Sequence, residues 1–393
     1  MTPEGASVVT STPVGPSLRS YSDAIGRWAR FGPYYAMFPV SFVFRAVQAY
    51  CEPGDAVIDP FCGRGTVPFI AKITGRTAMG VDINPVAYVF AMTKIDPEPN
   101  HRRLLERICD IEAAVTAHDC EAENEFQAWA WSPEVLGFLR AARRLLKWKT
   151  NRCDRTLMGV MLVHVHGKLG NAVSNQMRQS KSMAPDYSVR WWRQRGMRPP
   201  QISPAAYFGE RIRWRYEYGT VGGAEAIVRM GDAASVLQRL GGQFQLLLTS
   251  PPYCGVTDYR LDNWIRLWML GGPSLPDYDT SQRFCDRGAY QHLLAAVFGA
   301  ARGCLANDGV VYVRTDSREF TRYATVYTLR KLWPHYSWFW HSERHSKSQT
   351  DLFGGAVAKP GETDILGTTR DDLVPREFCE IPRDLDEPSA LVR

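Results

Sequence analysis

Short apolar runs that close on a polar or glycine-containing turn recur along this chain. Ala56-Val57-Ile58-Asp59 runs into the turn Cys62-Gly63-Arg64-Gly65-Thr66, and the apolar segment Val67 to Ile73 reads as the helix that follows. Ala78-Met79-Gly80-Val81 ends in Asp82, and Ala226-Ile227-Val228-Arg229-Met230 closes on Gly231-Asp232. Phe244-Gln245-Leu246-Leu247-Leu248 leads directly into Thr249-Ser250-Pro251-Pro252-Tyr253, and Gly309-Val310-Val311-Tyr312-Val313 is a fifth run of the same kind. Runs of this kind read as buried strands. Their alternation with helical stretches predicts an α/β fold on a doubly wound, mostly parallel sheet. Ligands of such sheets bind outside the carboxyl ends of the strands. The acids, glycines and Ser-Pro-Pro-Tyr run just quoted all fall at those ends.

Between the second and third strands the pattern changes. The stretch 96–223 is much longer than an ordinary crossover and opens with helical spacing over His101 to His118 and Pro133 to Lys149. An apolar segment, Thr156 to His166, and polar Gly- and Pro-containing segments follow as far as Tyr218. This predicts a catalytic-type domain formed by 21–95 and 224–370, interrupted by a large, mainly helical insertion over 96–223. The Ser-, Thr- and Pro-rich stretch 1–20 and the acidic stretch 371–393 are expected as tails.

Charge singles out the same insertion. The chain carries a net charge of +6, yet Arg140 to Arg215 alone holds seventeen lysines and arginines against three acids, so the remainder is net negative. A localised basic block suits a polyanion, because Lys and Arg neutralise phosphates and release counterions. A solvated helix face is the plainer account of such a block. Interleaved Trp148, Tyr187, Trp191, Trp192, Trp214 and Tyr216 shift the balance towards nucleic acid. Lys168, Asn175, Arg178, Lys181, Arg190, Trp191, Trp192 and Arg193 are the candidate contacts, with Asn and Arg suited to bases and Lys to phosphates. For each of them singly, packing or a surface role is an equal alternative.

No apolar run is long enough for a bilayer, and no basic, apolar, small-residue start marks a secretion signal. Nine cysteines are scattered without a C-x-x-C pair, which argues against a zinc ribbon or disulfide scaffold and for a reducing cytoplasm. His164 and His166 stand two apart in a stretch that reads as helix. With His341 and His345 they are expected in core or surface roles, and no metal is expected.

The G-x-G of Gly63 and Gly65 lacks the third glycine of a dinucleotide fingerprint and the Gly-Lys-Ser/Thr ending of a P-loop. Its weight comes from its neighbours. Asp82, ending the next strand, is placed to bind both ribose hydroxyls of an adenosine cofactor, and Asp232 to accept from an adenine amino group. Close glycines let the backbone approach a ligand with a sulfonium and an amino-acid tail, with no pyrophosphate to hold. Singly, each acid reads as well as a turn or helix cap. Three at consecutive strand ends favour a cofactor site.

Ser250-Pro251-Pro252-Tyr253 is the sharpest chemical signal. Consecutive prolines fix φ and remove donors, so local carbonyls are held rigidly and remain free to accept. An exocyclic base amine is a poor nucleophile because its lone pair is delocalised into the ring. Accepting its N–H groups at the Ser250 hydroxyl and the Pro251 carbonyl favours a pyramidal nitrogen, whose lone pair is then aimed at a methyl sulfonium. Tyr253 offers a ring on which an extruded base stacks. Standing alone, the same run would read as a Pro-rich turn capping a strand.

Taken together, these residues resemble the amino-methylating DNA methyltransferases of restriction-modification systems, class I S-adenosylmethionine-dependent enzymes acting on cytosine N4 or adenine N6. Asp59-Pro60-Phe61-Cys62-Gly63-Arg64-Gly65-Thr66 is similar to their cofactor motif, and Gly80-Val81-Asp82-Ile83-Asn84-Pro85 to their ribose-binding segment. Tyr35-Ala36-Met37-Phe38-Pro39 is similar to the motif that closes over the methionine part of the cofactor, Gly231-Asp232 to the adenine contact, and Thr249 to Tyr253 to the catalytic motif. Leu352-Phe353-Gly354-Gly355 and Lys359-Pro360-Gly361-Glu362 also resemble segments of this group, without an assigned role. The resemblance implies a Rossmann-like catalytic domain, S-adenosyl-L-methionine as cofactor, double-stranded DNA as partner, and a cognate restriction or phage-defence nuclease. In this family Ser at the first catalytic position is commoner among cytosine-N4 enzymes and Asp among adenine-N6 enzymes. Ser250 therefore points to cytosine N4, with adenine N6 the open alternative. The insertion departs from the family, where a recognition domain often lies after the catalytic motif or just before it.

A C5-cytosine enzyme needs a nucleophilic cysteine, usually in a Pro-Cys dipeptide, and no Pro-Cys occurs here. RNA guanine-N2 and protein-glutamine methyltransferases use related Pro-Pro-aromatic motifs, but with Asp or Asn where Ser250 stands. A DNA-binding relative that lost catalysis is countered by the intact Asp59, Asp82, Ser250 and Tyr253.

Overall fold

Eight strands form one sheet. In chain order they are β1 (Ala56–Asp59), β2 (Thr77–Asp82), β3 (Ala226–Met230), β4 (Phe244–Thr249), β5 (Leu305–Asp316), β6 (Ser337–Glu343), β7 (Glu362–Thr368) and β8 (Cys379–Glu380). Their spatial order is β8-β6-β7-β5-β4-β1-β2-β3. The five strands from β5 to β3 are parallel to their neighbours, and β7, β6 and β8 continue the sheet antiparallel. The fold is α/β, Rossmann-like and mostly parallel. In this computed structural model the described residues are 8, 9, 18, 20–34, 37–256, 258–278, 286–343 and 361–382.

The chain runs outward from β1 through β2 to β3, then returns to the other side of β1 as β4. That reversal makes a crevice at the carboxyl ends of β1 and β4, where α/β sheets bind ligands. Ile58, Val81, Leu247, Val311, Val313 and Ile365 come from five different strands and share one buried cluster with Leu294, Val297 and Phe298 of the helix Arg287–Arg302. Burial on this scale holds the strand ends at fixed spacing.

The first four predicted strands lie where the apolar runs stand, and β5 begins earlier than Gly309. Asn307-Asp308-Gly309 has turn chemistry, but it is a bulge within a longer strand. Phe244 pairs with Leu305 while Leu246 pairs with Val310, so extra β5 residues face the gap. The antiparallel strands β6 to β8 are not predicted from the sequence. They occupy one edge, where pairing with a neighbour and not continuous apolarity defines the strand.

Contacts divide the chain into two compact units. One comprises Ala36–Ile83, Gly223–Thr257 and Ser281–Arg393 and contains the whole eight-stranded sheet. The other comprises Met1–Tyr35, Asn84–Gly222 and Asp258–Thr280 and is mainly helical. Its helices include His101–Ala113, Pro133–Leu145, Arg152–His164, Pro185–Gln194 and Pro204–Tyr216. The side chains of Asn100, Ser132, Asn151 and Ser203 accept backbone N–H groups at four of their starts, and proline opens three of them. Aromatic rings fill its interior: Phe126 meets Trp131, Trp192 and Trp264, and Trp131 stacks on Trp268. Among the described residues no helix is long and apolar enough to cross a membrane.

Candidate active site

The turn after β1 is built for close approach. Gly63 and Gly65 take left-handed φ values of 50° and 76°, and Gly65 sits at the N-cap of the helix Thr66–Ile73 with no side chain to cap it. The turn leans on β2: Cys62 N donates to Val81 O at 3.0 Å and Gly63 N donates to Asp82 Oδ2 at 2.9 Å. Gly80 makes room for this contact, since a Cβ there would stand 3.0 Å from both Cβ and Sγ of Cys62.

Asp59 has a different role from the one its motif suggests. Its side chain is buried, and Oδ1 accepts from Thr249 Oγ1 at 2.6 Å and from Phe61 N at 3.1 Å. It ties the end of β1 to the end of β4, directly before Ser250-Pro251-Pro252-Tyr253. Burial raises its pKa from 3.8 to about 7, against the lowering pull of those two hydrogen bonds, and the charge of Asp82 raises it further. The folded state thus keeps a proton that the unfolded state releases at lower pH. The Asp59 contribution is therefore full below pH 3.8 and is lost as pH rises towards 7. Asp59→Asn keeps an acceptor for both donors and removes the titration. Its stability relative to the parent is expected to improve as pH rises from 4 to 8, read from urea midpoints across that range. A pH-independent difference would contradict this assignment.

At the other strand ends, Asp82 is half-buried, and Ile83 is 72% exposed, unusual for so large an apolar side chain. Met230, 40% exposed, pairs with Asp82 across β2 and β3. Asp232 is the N-cap of the helix Ala233–Leu237, with Oδ1 accepting from Ser235 N at 2.8 Å and Ser235 Oγ at 2.7 Å. Pro60 and Thr66 are buried and Phe61 is half-buried along the turn. Pro39 caps the helix Val40–Tyr50, and Phe38 stacks on Phe42 with centroids 5.4 Å apart. Tyr35 and Ala36 of that motif lie outside the described residues. Asn84 belongs to the helical unit, where it caps the helix Pro85–Ile95 and donates from Nδ2 to Tyr34 Oη at 3.0 Å.

The Ser250-Pro251-Pro252-Tyr253 run leaves β4 with Ser250 half-buried and Pro251, Pro252 and Tyr253 buried. The Tyr253 hydroxyl donates to Glu362 Oε1 at 3.5 Å. Burial pushes its pKa well above the usual tyrosine value, and the nearby Glu362 charge adds to this. One residue on, Arg318 Nη2 donates to Cys254 O at 2.6 Å while Asp316 holds the same guanidinium. Behind Glu362, Arg314 Nη1 reaches Oε2 at 3.1 Å, and Arg314 forks onto Asp364 at 2.6 and 2.7 Å. The Arg314 guanidinium also lies 3.7 Å over the Phe42 ring.

Sequence reading missed Arg314, Asp316, Arg318 and a role for Glu362. A signal was present, because Val313-Arg314-Thr315-Asp316 puts charge at the carboxyl end of a buried strand, where ligand sites form. Glu362 had none. It reaches this edge because β7 runs antiparallel to β5, which pairs its first residue with Asp316.

The eight nucleic-acid candidates all lie in the helical unit and divide by burial. Asn175 is interior: its Nδ2 donates to Trp129 O at 3.1 Å and its Oδ1 accepts from Gln176 N at 2.8 Å. Trp192 is also interior, with Nε1 donating to Gln176 O at 2.7 Å. Both are spent on packing, so they are set aside as surface contacts. Lys168, Arg178, Arg190 and Arg193 are exposed, while Trp191 and Lys181 are half-buried, Lys181 against Asp262 at 2.6 Å. Arg193 pairs with Glu125 and, like Arg198, packs over Trp129, and Arg195 packs over Trp191. His166 is buried with Nδ1 against Arg178 O at 2.8 Å. Among the described residues no group of three or more His, Cys, Asp or Glu is placed to hold a metal ion.

A Rossmann-like sheet with a glycine turn after β1, acids at the next two strand ends and Ser-Pro-Pro-Tyr after β4 defines the class. Residues 14–92 match the model of the DNA methylase family N6_N4_Mtase. The chain is 33% identical over 67 residues to the type II methyltransferase M.Cfr9I of Citrobacter freundii, covering 17% of this chain and 22% of that protein. It is 35% identical over 68 residues to the type II methyltransferase M.HpaI of Haemophilus parainfluenzae, again covering 17% and 22%. The chain thus matches about a fifth of the length of these curated relatives. An rRNA methyltransferase, aviRa from Streptomyces viridochromogenes, superposes with a TM-score of 0.32 at 14% identity, covering 89% of this chain and 96% of that one. So remote a likeness says nothing of activity.

Proposed function

We propose that this protein transfers a methyl group from S-adenosyl-L-methionine to the exocyclic amino group of a base flipped out of double-stranded DNA, cytosine N4 before adenine N6. The observation that carries this reading is the junction of β4 and β1, where Ser250-Pro251-Pro252-Tyr253 leaves the strand beside the one that ends in the glycine turn. The residues fit the cofactor. Asp82 would hold the ribose hydroxyls, the exposed Ile83 and Met230 offer an apolar wall for adenine, and Gly63 and Gly65 keep the turn backbone bare for the amino-acid tail. Asp232 spends Oδ1 on its helix, so an adenine amino group would be left its second carboxylate oxygen.

When bound, the cofactor supplies an electrophilic methyl group on sulfonium. The chain's own residues prepare the nucleophile. The Ser250 hydroxyl and Pro251 carbonyl accept the amine N–H groups, and Tyr253 stacks on the base. In the helical unit, Lys168, Arg178, Lys181, Arg190, Trp191 and Arg193 are the proposed DNA contacts, with Trp129, Arg195 and Arg198 beside them. The segment 96–223 is proposed as the module that recognises the target. A cognate nuclease, acting in the same cytoplasm, is the partner this reading implies.

Purified protein incubated with methyl-labelled cofactor should label double-stranded DNA, and mass spectrometry of the digested nucleosides should show N4-methylcytosine. N6-methyladenine in its place would move the assignment to adenine. Label confined to tRNA or protein would reject DNA as the substrate.

A further inference from the structure

Ser250-Pro251-Pro252-Tyr253 starts from a fixed point. Thr249 Oγ1 donates to the buried Asp59 side chain at 2.6 Å, which ties the last residue of β4 to the end of β1. β5 flanks β4 on its other side, and it too ends in a buried acid, Asp316. This second acid works through Arg318. Arg318 Nη2 donates to Cys254 O at 2.6 Å, at the far end of the run.

Asp316 grips Arg318 by three hydrogen bonds. Oδ1 accepts the backbone N–H of Arg318 at 2.9 Å, and Oδ2 accepts Nε at 3.1 Å and Nη2 at 2.5 Å. Arg318 is also the N-cap residue of the helix Glu319–Leu332, so backbone and side chain are both anchored. A guanidinium is a planar fork, and fixing one edge fixes the direction of its remaining donors. Nη2 carries two hydrogens, one for Asp316 and one for the Cys254 carbonyl. The Cys254 side chain is buried, but apolar packing is non-directional and leaves the plane of the following peptide unspecified. Beyond it the chain is exposed, and Gly255 turns at a φ of 67° with open space where a side chain would stand. The Arg318 hydrogen bond sets that plane where burial ends.

We propose that Arg318 is a positioning residue for methyl transfer. Held by Asp316, it clamps the Cys254 carbonyl and fixes the exit of Ser250-Pro251-Pro252-Tyr253, as Thr249 and Asp59 fix its entry. Two prolines between the fixed ends leave the run few soft torsions. The Ser250 hydroxyl, the Pro251 carbonyl and the Tyr253 ring are thereby held at one spacing, which is what in-line attack on a methyl group requires. The inference rests on the methyl-transfer reading above and gives a function to a charged pair that no motif contains. In this role Arg318 acts through the backbone and not on the substrate.

Arg318→Lys keeps a cation beside the buried Asp316, but a single nitrogen cannot span Asp316 and Cys254 O as the fork does. Asp316→Asn keeps an acceptor for the Arg318 N–H and loosens the hold on the guanidinium. Methyl transfer to DNA is measured for the parent, both single variants and the double variant, with urea midpoints in parallel. Each single change is expected to lower kcat by about 10²-fold, the loss that a misplacement of about 1 Å brings, with KM for cofactor and for DNA unaltered. The double variant should lose no more than the worse single one, because both changes break the same link. Full kcat in Arg318→Lys, or losses that multiply in the double variant, would overturn the proposal. So would a loss confined to KM for DNA, which would make Arg318 a phosphate contact.

The second readout needs no turnover. With 3-fluorotyrosine at position 253 the parent should give one narrow fluorine resonance, and Arg318→Lys should broaden or split it as the ring samples further settings. Asp316→Asn should do the same, so the readout survives if one variant does not fold. A resonance that neither change alters overturns the clamp whatever the activity. If the parent methylates no DNA, the functional reading fails, and the clamp is judged on the resonance alone.

Discussion

Ser250→Ala is expected to reduce methyl transfer by about 10²- to 10³-fold, the cost of removing one preorganised hydrogen-bond partner from a transition state, while cofactor affinity stays within a few-fold. The two effects separate because they belong to different strand ends. The proposed cofactor contacts follow β1 and β2, at Gly63, Gly65, Asp82 and Ile83, whereas Ser250 follows β4. Ser250 packs little and is half-buried, so its loss should leave the unfolding midpoint unchanged. Tyr253→Ala is expected to be at least as damaging, since it removes the ring on which the base is proposed to stack. It also empties a buried site and should lower stability, so the serine variant is the cleaner test. Single-turnover rates on DNA, with calorimetric titration of cofactor, provide the measurement. Parallel loss of rate and of cofactor binding would mean that the motif shapes the cofactor pocket and does not activate the amine.

Arg314→Ala is expected to destabilise the fold by about 3–5 kcal/mol, the cost of breaking a buried ion pair and leaving its partner charged. Here two carboxylates, Glu362 and Asp364, lose the same cation, and Phe42 loses the guanidinium that covers its ring. Desolvation and attraction to the two acids act oppositely on Arg314, and the acids prevail, raising its pKa above the usual arginine value. Denaturant midpoints of the parent and the variant should show this deficit. Arg314→Lys should recover only part of the loss, because an ammonium cannot fork onto Asp364 while also meeting Glu362. An unchanged midpoint in Arg314→Ala would mean that the network contributes no net stability.

Much of the sheet was legible because its parallel strands are short apolar runs closed by turn residues. Ala56–Asp59 and Ala226–Met230 are bounded as their apolar runs are, and the helices His101–Ala113 and Pro133–Leu145 begin where their spacing predicts. The bulge at Asn307-Asp308-Gly309 was not legible, since turn-forming residues within a strand show only in its pairing. Burial of polar and aromatic residues was equally hidden. Asn175 and Trp192 carry the same chemistry whether they face solvent or the interior, and only the fold assigns them to the interior.

The sequence by itself determined the α/β class, the glycine turn, the acids at the strand ends and Ser250-Pro251-Pro252-Tyr253, because each depends on neighbours within a few residues. Tertiary structure alone decided what those residues touch. It turned Asp59 into a strut for Thr249, made Asp232 a helix cap, and brought Glu362 across from an antiparallel strand to the Tyr253 hydroxyl. The physical reason is strand order. Position 362 meets position 253 only because the strand starting at one lies beside the strand ending at Asp316, in a register that no local pattern encodes.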